Sequence, residues 1–261
     1  MDHFHGQPPY RLVLVHGGPG GNGELAPVAR RLAAKFGVLE PWQEAMSVNA
    51  QIEELAAVIR QDGQLPVVLL GHSWGAWLAG LVAAVYPELV ARLILVASGP
   101  LEHGYADGIM ATRMSRLAPE ERSEVEAAMT MLSGPESPER AAAFARVGEL
   151  LSRTDSFNVS ADVAEKVQLR DDIYRQVWPE AAAMRKNGEL LRLLAGIRCP
   201  VLAVHGDYDP HPAAGVHDPL LKILPEARWV LLSQCGHAPW RELHARDEFF
   251  RLIEAEMACL E

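Results

Sequence analysis

Leu65-Pro66-Val67-Val68-Leu69-Leu70-Gly71-His72-Ser73-Trp74-Gly75 is the stretch from which the fold can be read. An apolar run of a length suited to a fully buried parallel strand leads straight into Gly-x-Ser-x-Gly. The alanine- and leucine-rich residues that follow, Ala76 to Tyr86, have the makeup of a helix stopped by Pro87. A serine at the apex of so tight a turn takes up a strained backbone, and glycines two places before and after it remove Cβ atoms that would collide. Strand, elbow and helix in that order predict that Ser73 is a nucleophile presented above the end of its strand.

Working outward, Arg11 to Val15 is a β-branched run with about ten residues before it, ending in His16-Gly17-Gly18-Pro19-Gly20-Gly21. A helix is expected over Leu25 to Lys35 and a very short strand at Gly37-Val38-Leu39. Val48, Ile52, Leu55, Ala56 and Ile59 then recur at helical spacing behind a Ser47 cap. Leu93-Ile94-Leu95-Val96 is another buried strand, stopping at Ser98-Gly99-Pro100. From about Leu101 to Gly196 strand signals give way to helical ones, among them Val125, Ala128, Met129 and Leu132, then Phe144, Val147, Leu150 and Leu151 behind Ser137-Pro138. Strands resume at Pro200 to Val204 and Arg228 to Leu232, and Phe249, Leu252, Ile253 and Met257 mark a last amphipathic helix.

Alternating strands and helices predict an α/β fold with a mostly parallel, doubly wound sheet whose ligands sit beyond the carboxyl ends of the strands. The expected division is a first core part over residues 1–100, a helical cap or lid over 101–196 inserted before the penultimate core strand, and a second core part over 197–261. A chain of 261 residues can bury a large core. A net charge of −10 and a pI near 5.5 oppose binding to nucleic acid or an anionic membrane and suit a small-molecule or short-peptide substrate. Cys199, Cys235 and Cys259 are too few and scattered for a disulfide framework, so free thiols are expected. With no apolar stretch of membrane length and no signal-peptide layout after Met1, the expected location is cytoplasmic.

A serine hydroxyl needs a base within hydrogen-bond reach and a third group to orient that base, in the chain order serine, acid, histidine. His237 stands in the short loop Gln234-Cys235-Gly236-His237-Ala238-Pro239-Trp240, after the last strand and before the last helix, and is the candidate general base. Two acids compete in His205-Gly206-Asp207-Tyr208-Asp209-Pro210; the Gly-x-x-Asp spacing from Gly206 favours Asp209, leaving Asp207 to cap the local turn. Attack on a carbonyl places negative charge on its oxygen, which the amides of Trp74 and Gly18 are positioned to meet, while His16 is expected to structure its loop. The set His205, Asp207, Asp209, His211, His217 and Asp218 matches no metal-ligand spacing, so no metal is expected. Cys235 beside His237 reads as a buried strand-end thiol.

Together, HGGPG at 16–20, GHSWG at 71–75, GDYDP at 206–210 and GHAPW at 236–240 resemble the α/β-hydrolase superfamily, and most of all its proline iminopeptidase branch. The resemblance implies a triad of Ser73, Asp209 and His237, oxyanion donors at Gly18 and Trp74, a helical cap over the pocket, and no cofactor. An aminopeptidase must partner a substrate ammonium with a carboxylate. The lid offers Glu120, Glu121, Glu124, Glu126, Glu149, Asp155, Asp162, Asp171 and Asp172, and Trp178, Tyr174 and Phe157 line an acyl or prolyl pocket or pack the lid itself. The leading expectation is thus a cofactor-free serine hydrolase, aminopeptidase-like, with a small-molecule carboxylesterase or thioesterase as the alternative and a non-catalytic binder of the same fold as the second. Ser73 disfavours dehalogenase and epoxide hydrolase chemistry, where the nucleophile is an aspartate.

Overall fold

Every apolar run named above becomes a strand of one sheet in the computed structural model, which describes residues 3–132, 134, 137–159 and 167–259. In chain order the strands are β1 (His3–His5), β2 (Tyr10–Val15), β3 (Gly21–Asn22), β4 (Gly37–Glu40), β5 (Val67–His72), β6 (Val90–Val96), β7 (Gln168–Leu169), β8 (Val201–Gly206) and β9 (Arg228–Leu232). The main sheet runs β1-β4-β2-β5-β6-β8-β9, parallel throughout except for β1, which pairs antiparallel with β4. The elbow strand β5 is therefore central, and its carboxyl end lies among those of β2, β6 and β8.

Side-chain alternation divides the core between the two faces of the sheet. Leu12, Leu14, Val68, Leu70, Ile94 and Val96 pack with α1 (Ala26–Leu32) and α10 (Arg246–Ala258) on one face. Val13, Val15, Val67, Leu69, Leu93 and Leu95 pack on the other with α2 (Val48–Asp62) and α3 (Trp74–Val85). Between β6 and β8 lie α4 (Ile109–Ser115), α5 (Pro119–Leu132), α6 (Pro138–Thr154), β7, α7 (Asp171–Lys186) and α8 (Glu189–Leu194). The remaining long element is α9 (Ala214–Ile223). Ser47 and Ser137 cap as expected, their side chains accepting from the amides of Ala50 and Arg140 at 3.2 and 3.1 Å.

Three details depart from the sequence reading. β1 adds an edge strand within the residues before β2. The first helix is shorter than Leu25 to Lys35, ending at Leu32. The helical stretch also contains a strand, because β7 pairs antiparallel with β3, whose first residue, Gly21, is the last of the glycine cluster. Two residues are too few to display alternation, so neither β3 nor β7 leaves a periodic signal. Among the described residues no helix is long and apolar enough to cross a membrane.

Candidate active site

The elbow is shaped by close backbone approach. A Cβ on Gly71 would lie 2.1 Å from the Gly75 carbonyl oxygen, and one on Gly75 would lie 2.2 Å from that of Val15. Glycine at both places lets β5 turn into α3 against β2. Between them Ser73 has φ 54° and ψ −116°, the left-handed half of backbone space that a residue with a side chain avoids. Its amide is held by the Val96 carbonyl at 3.0 Å. The Trp74 amide is the first of a helix and has no carbonyl one turn earlier within that helix to bond. Its indole is anchored inward, donating to Gln43 Oε1 at 3.0 Å and Gln51 Oε1 at 3.2 Å.

The glycine loop after β2 passes beside the elbow, and a Cβ on Gly17 would come within 3.1 Å of the Ser73 Cβ. Gly18 has φ 114°, open to glycine alone, and a side chain there would meet the amide nitrogens of Gly20 and Gly21 at 2.8 and 2.7 Å. His16 behaves as a structural residue. Its Nδ1 donates to the Gly17 carbonyl at 2.8 Å, its Nε2 accepts from the Gln43 amide at 3.3 Å, and burial pushes the imidazole below its ordinary range, so it is neutral. Gln43, which the sequence reading passed over, ties His16 to Trp74.

Asp209 and His237 meet. His237 Nδ1 donates to Asp209 Oδ2 at 2.7 Å, which leaves Nε2 as the ring nitrogen not engaged by the acid. Burial opposes charge on His237, but the Asp209 carboxylate and its hydrogen bond outweigh it and raise the imidazole above its ordinary value. The His237 ring lies 4.7 Å, centroid to centroid, from that of His72, the neighbour of Ser73. Asp207 is not seen capping its own turn: its Oδ1 accepts the amide of Cys235, 28 residues on, at 3.1 Å, in the loop that carries His237. Cys235 is a buried free thiol, driven upward by burial and nearby carboxylates.

Asp209 is fully enclosed and serves a second histidine that the motif reading did not assign to it. His211 donates from its amide at 2.9 Å and from Nδ1 at 2.7 Å to Oδ1, and stacks on His237 at 4.4 Å. Burial lowers His211 to about 4 and also lowers His205, whose Nε2 donates to the His211 carbonyl at 2.9 Å. Burial would raise Asp209, yet the adjoining His237 and His211 hold it well below the usual carboxylate range. One negative charge thus sits beside one imidazole that it raises, His237, and two that burial keeps neutral, His205 and His211. Ligand atoms of Asp209, His211 and His237 lie within 4.8 Å of one another, a set able to hold a divalent cation, though here they satisfy each other by hydrogen bonds.

The helical segment between β6 and β8 closes on this region. Arg113 donates to Asp155 at 2.8 Å through Nε and 2.5 Å through Nη2, and the Asp155 carbonyl accepts the His237 amide at 2.7 Å. The other carboxylates of this segment are mostly engaged: Glu121 with Arg153, Glu124 and Glu149 with Arg146, Asp171 with Arg140, Asp172 with Arg170. Glu120 and Glu126 are exposed on α5, and Asp162 lies outside the described residues. Trp178 stacks on Trp77 of α3 at 5.9 Å and on Tyr174 at 6.0 Å, while Trp77 reaches Trp74 at 6.2 Å. Phe157 is instead 43% exposed, edge-on to Tyr208, and is not part of that column.

A family model described as the alpha/beta hydrolase fold matches residues 35–239. The pimeloyl-[acyl-carrier protein] methyl ester esterase of Nitrosomonas europaea is 28% identical over 265 residues, covering 94% of this chain and 94% of that protein. The proline iminopeptidase of Lactobacillus delbrueckii subsp. lactis is 28% identical over 264 residues, covering 90% and 86%. Among solved structures, VinJ superposes with a TM-score of 0.68 at 19% identity, covering 100% of this chain and 95% of its own. The thioesterase domain from the curacin biosynthetic pathway does so with a TM-score of 0.62 at 21% identity, covering 98% and 94%.

Proposed function

We propose, from the premise that the chain belongs to the alpha/beta hydrolase family, that it is a serine hydrolase cleaving a small carboxylic ester through an acyl-enzyme. Ser73 is the nucleophile, His237 the general base, Asp209 the acid that orients it, and residues 101–196 the cap over the strand ends. The 2.7 Å bond that fixes His237 on Asp209, with its ring against the neighbour of Ser73, carries this reading.

His237 Nε2 takes the Ser73 hydroxyl proton as Oγ forms its bond to the ester carbonyl carbon, and the imidazolium is steadied by Asp209. The oxygen that becomes negative is met by the amides of Trp74 and Gly18. On collapse the C–O bond to the alcohol breaks and His237 returns the proton to the leaving oxygen. Water, deprotonated by the same imidazole, then hydrolyses the acyl-enzyme to acid and free Ser73.

An ester is preferred to an amino-terminal peptide on a specific ground. Asp155, the lid carboxylate joined to the base loop, is already neutralised by Arg113, so it is not free to partner a substrate ammonium. Of the two relatives named above, one carries an esterase name and one a peptidase name at equal identity, so family membership by itself leaves the choice to the site. Parallel assays of a short-chain p-nitrophenyl ester and a proline arylamide test it, together with a fluorophosphonate probe. Ester turnover, an inert arylamide and probe attached at Ser73 are expected. Arylamide cleavage without ester cleavage would replace the ester by a peptide substrate, and a folded protein refusing the probe would reject the enzyme for the binder.

A further inference from the structure

We infer that the buried His72 and the partly exposed Glu24 form an ion pair in which the His72 imidazolium is a positioning residue, locking the elbow, the glycine loop and the base loop into one register. The role assigned to these loops rests on the serine hydrolase reading above. His72 is the last residue of β5, directly before Ser73, and is 1% exposed. Its Nδ1 lies 3.0 Å from Glu24 Oε2 and its Nε2 lies 2.9 Å from the His237 carbonyl oxygen. One ring therefore touches partners 48 and 165 residues away along the chain.

The hydrogen inventory decides its charge. A carbonyl oxygen only accepts, so Nε2 carries a hydrogen. Glu24 is 27% exposed at its side chain and its Oε2 accepts the Gly17 amide at 2.7 Å, so at neutral pH it is an ionised carboxylate that accepts only, and Nδ1, 3.0 Å from the same oxygen, carries a hydrogen as well. Burial would raise Glu24, but the charge and hydrogen bond of His72, with the Gly17 amide, bring it down to about 2. Both ring nitrogens protonated make an imidazolium, whose charge Glu24 cancels.

Because the two charges cancel at short range, the pair acts on Ser73 through geometry. A Cβ on Gly17 would stand 2.9 Å from Glu24 Oε2, 3.1 Å from Ser73 Cβ and 3.3 Å from His72 Nδ1, so the loop, the carboxylate, the nucleophile and the ring meet at one point. The ring is confined further by His237 at 4.7 Å and by the edge of Trp240 at 4.7 Å. A neutral histidine can donate from one nitrogen only, and would release either the base loop or the glycine loop.

The test uses the full chain labelled with 15N in its imidazoles, with the His72 signals identified by their loss in His72→Asn. At pH 7.5 both His72 nitrogens should show the doubly protonated signature, and Glu24→Gln should convert it to the neutral pattern. The rate of fluorophosphonate attachment to Ser73 should fall about 100-fold in Glu24→Ala and His72→Asn, the scale of a misplaced reacting group. Glu24→Gln, which keeps an acceptor for the Gly17 amide, should recover to within about tenfold of wild type. With an ester substrate kcat should fall while KM stays within about twofold. A singly protonated His72 in the folded wild type, or a wild-type attachment rate in Glu24→Ala, would overturn the inference. If Glu24→Ala does not fold, the wild-type ring spectrum and Glu24→Gln decide. If wild type itself resists the probe, the hydrolase reading falls, and the spectrum still judges the ion pair.

Discussion

Ser73 holds a backbone conformation, φ 54° and ψ −116°, that costs of the order of 1–3 kcal/mol for a residue with a side chain, and the surrounding glycines and the Val96 carbonyl keep it there. The strain belongs to the backbone, so Ser73→Ala should leave the thermal midpoint within a few degrees of wild type while abolishing probe attachment and lowering ester turnover by a factor of about 1000 or more. For His237 the sign follows from its raised value. Only the neutral ring accepts a proton, so activity should rise with pH through a midpoint above the ordinary histidine value of about 6.5. Asp209→Asn removes what raises it, and should lower turnover by about a thousandfold or more. A pH–rate profile flat from about pH 5 to 9 would contradict the assignment of His237. The positions of these three residues could be read from the chain because each stands just past a strand end, where a parallel sheet collects its functional groups. Glu24, Gln43 and the grip of His211 on Asp209 could not, since their meaning comes from partners that only folding brings near.

At the level of elements, one carboxylate anchors the seam between the helical segment and the base loop. Glu242, 1% exposed, accepts the amides of Gly236, Phe157 and Asn158 at 3.0, 2.8 and 2.7 Å. Glu242→Ala strands these donors and should destabilise the protein by about 3 kcal/mol or more, measured by urea unfolding. Gly236 allows the approach, since a Cβ there would stand 2.1 Å from the Asp155 carbonyl oxygen. Gly236→Ala should therefore both destabilise and slow probe attachment at Ser73, because the His237 amide is bonded to that same carbonyl. The strands, and helices such as α6 behind its Ser137 cap, were legible as local patterns of apolar spacing and capping. The seam was not, because a glutamate that accepts three backbone amides looks, in sequence, like any solvated helix-flanking acid.

For the whole molecule, acid should be the vulnerable side. Burial leaves His16, His205 and His211 with lowered values, so each opposes folding increasingly as pH falls below about 6.5, through about 4 for His211. Glu24 and Asp209 are depressed carboxylates, whose stabilisation is complete above about 4.5 and lost as pH falls toward 2. His237 works the other way, its contribution lost as pH rises through its raised value. The urea midpoint should thus decline steadily from about pH 6.5 to pH 3, and a flat profile would refute this balance. The fold class was readable because alternation in each strand assigns residues to two faces, whereas the edge strand β1 and the β3–β7 pair carry no such pattern.

The column Trp74, Trp77, Trp178 and Tyr174 bridges the elbow helix and the helical segment, with Trp77 and Trp178 only 15° from parallel at 5.9 Å. Indoles so close share their excited states, so near-ultraviolet circular dichroism and intrinsic emission will register any sliding of one layer over the other. Half of the six tryptophans in the chain belong to this array. The protein thereby contains its own optical gauge of the contact between the two layers, readable without an added dye.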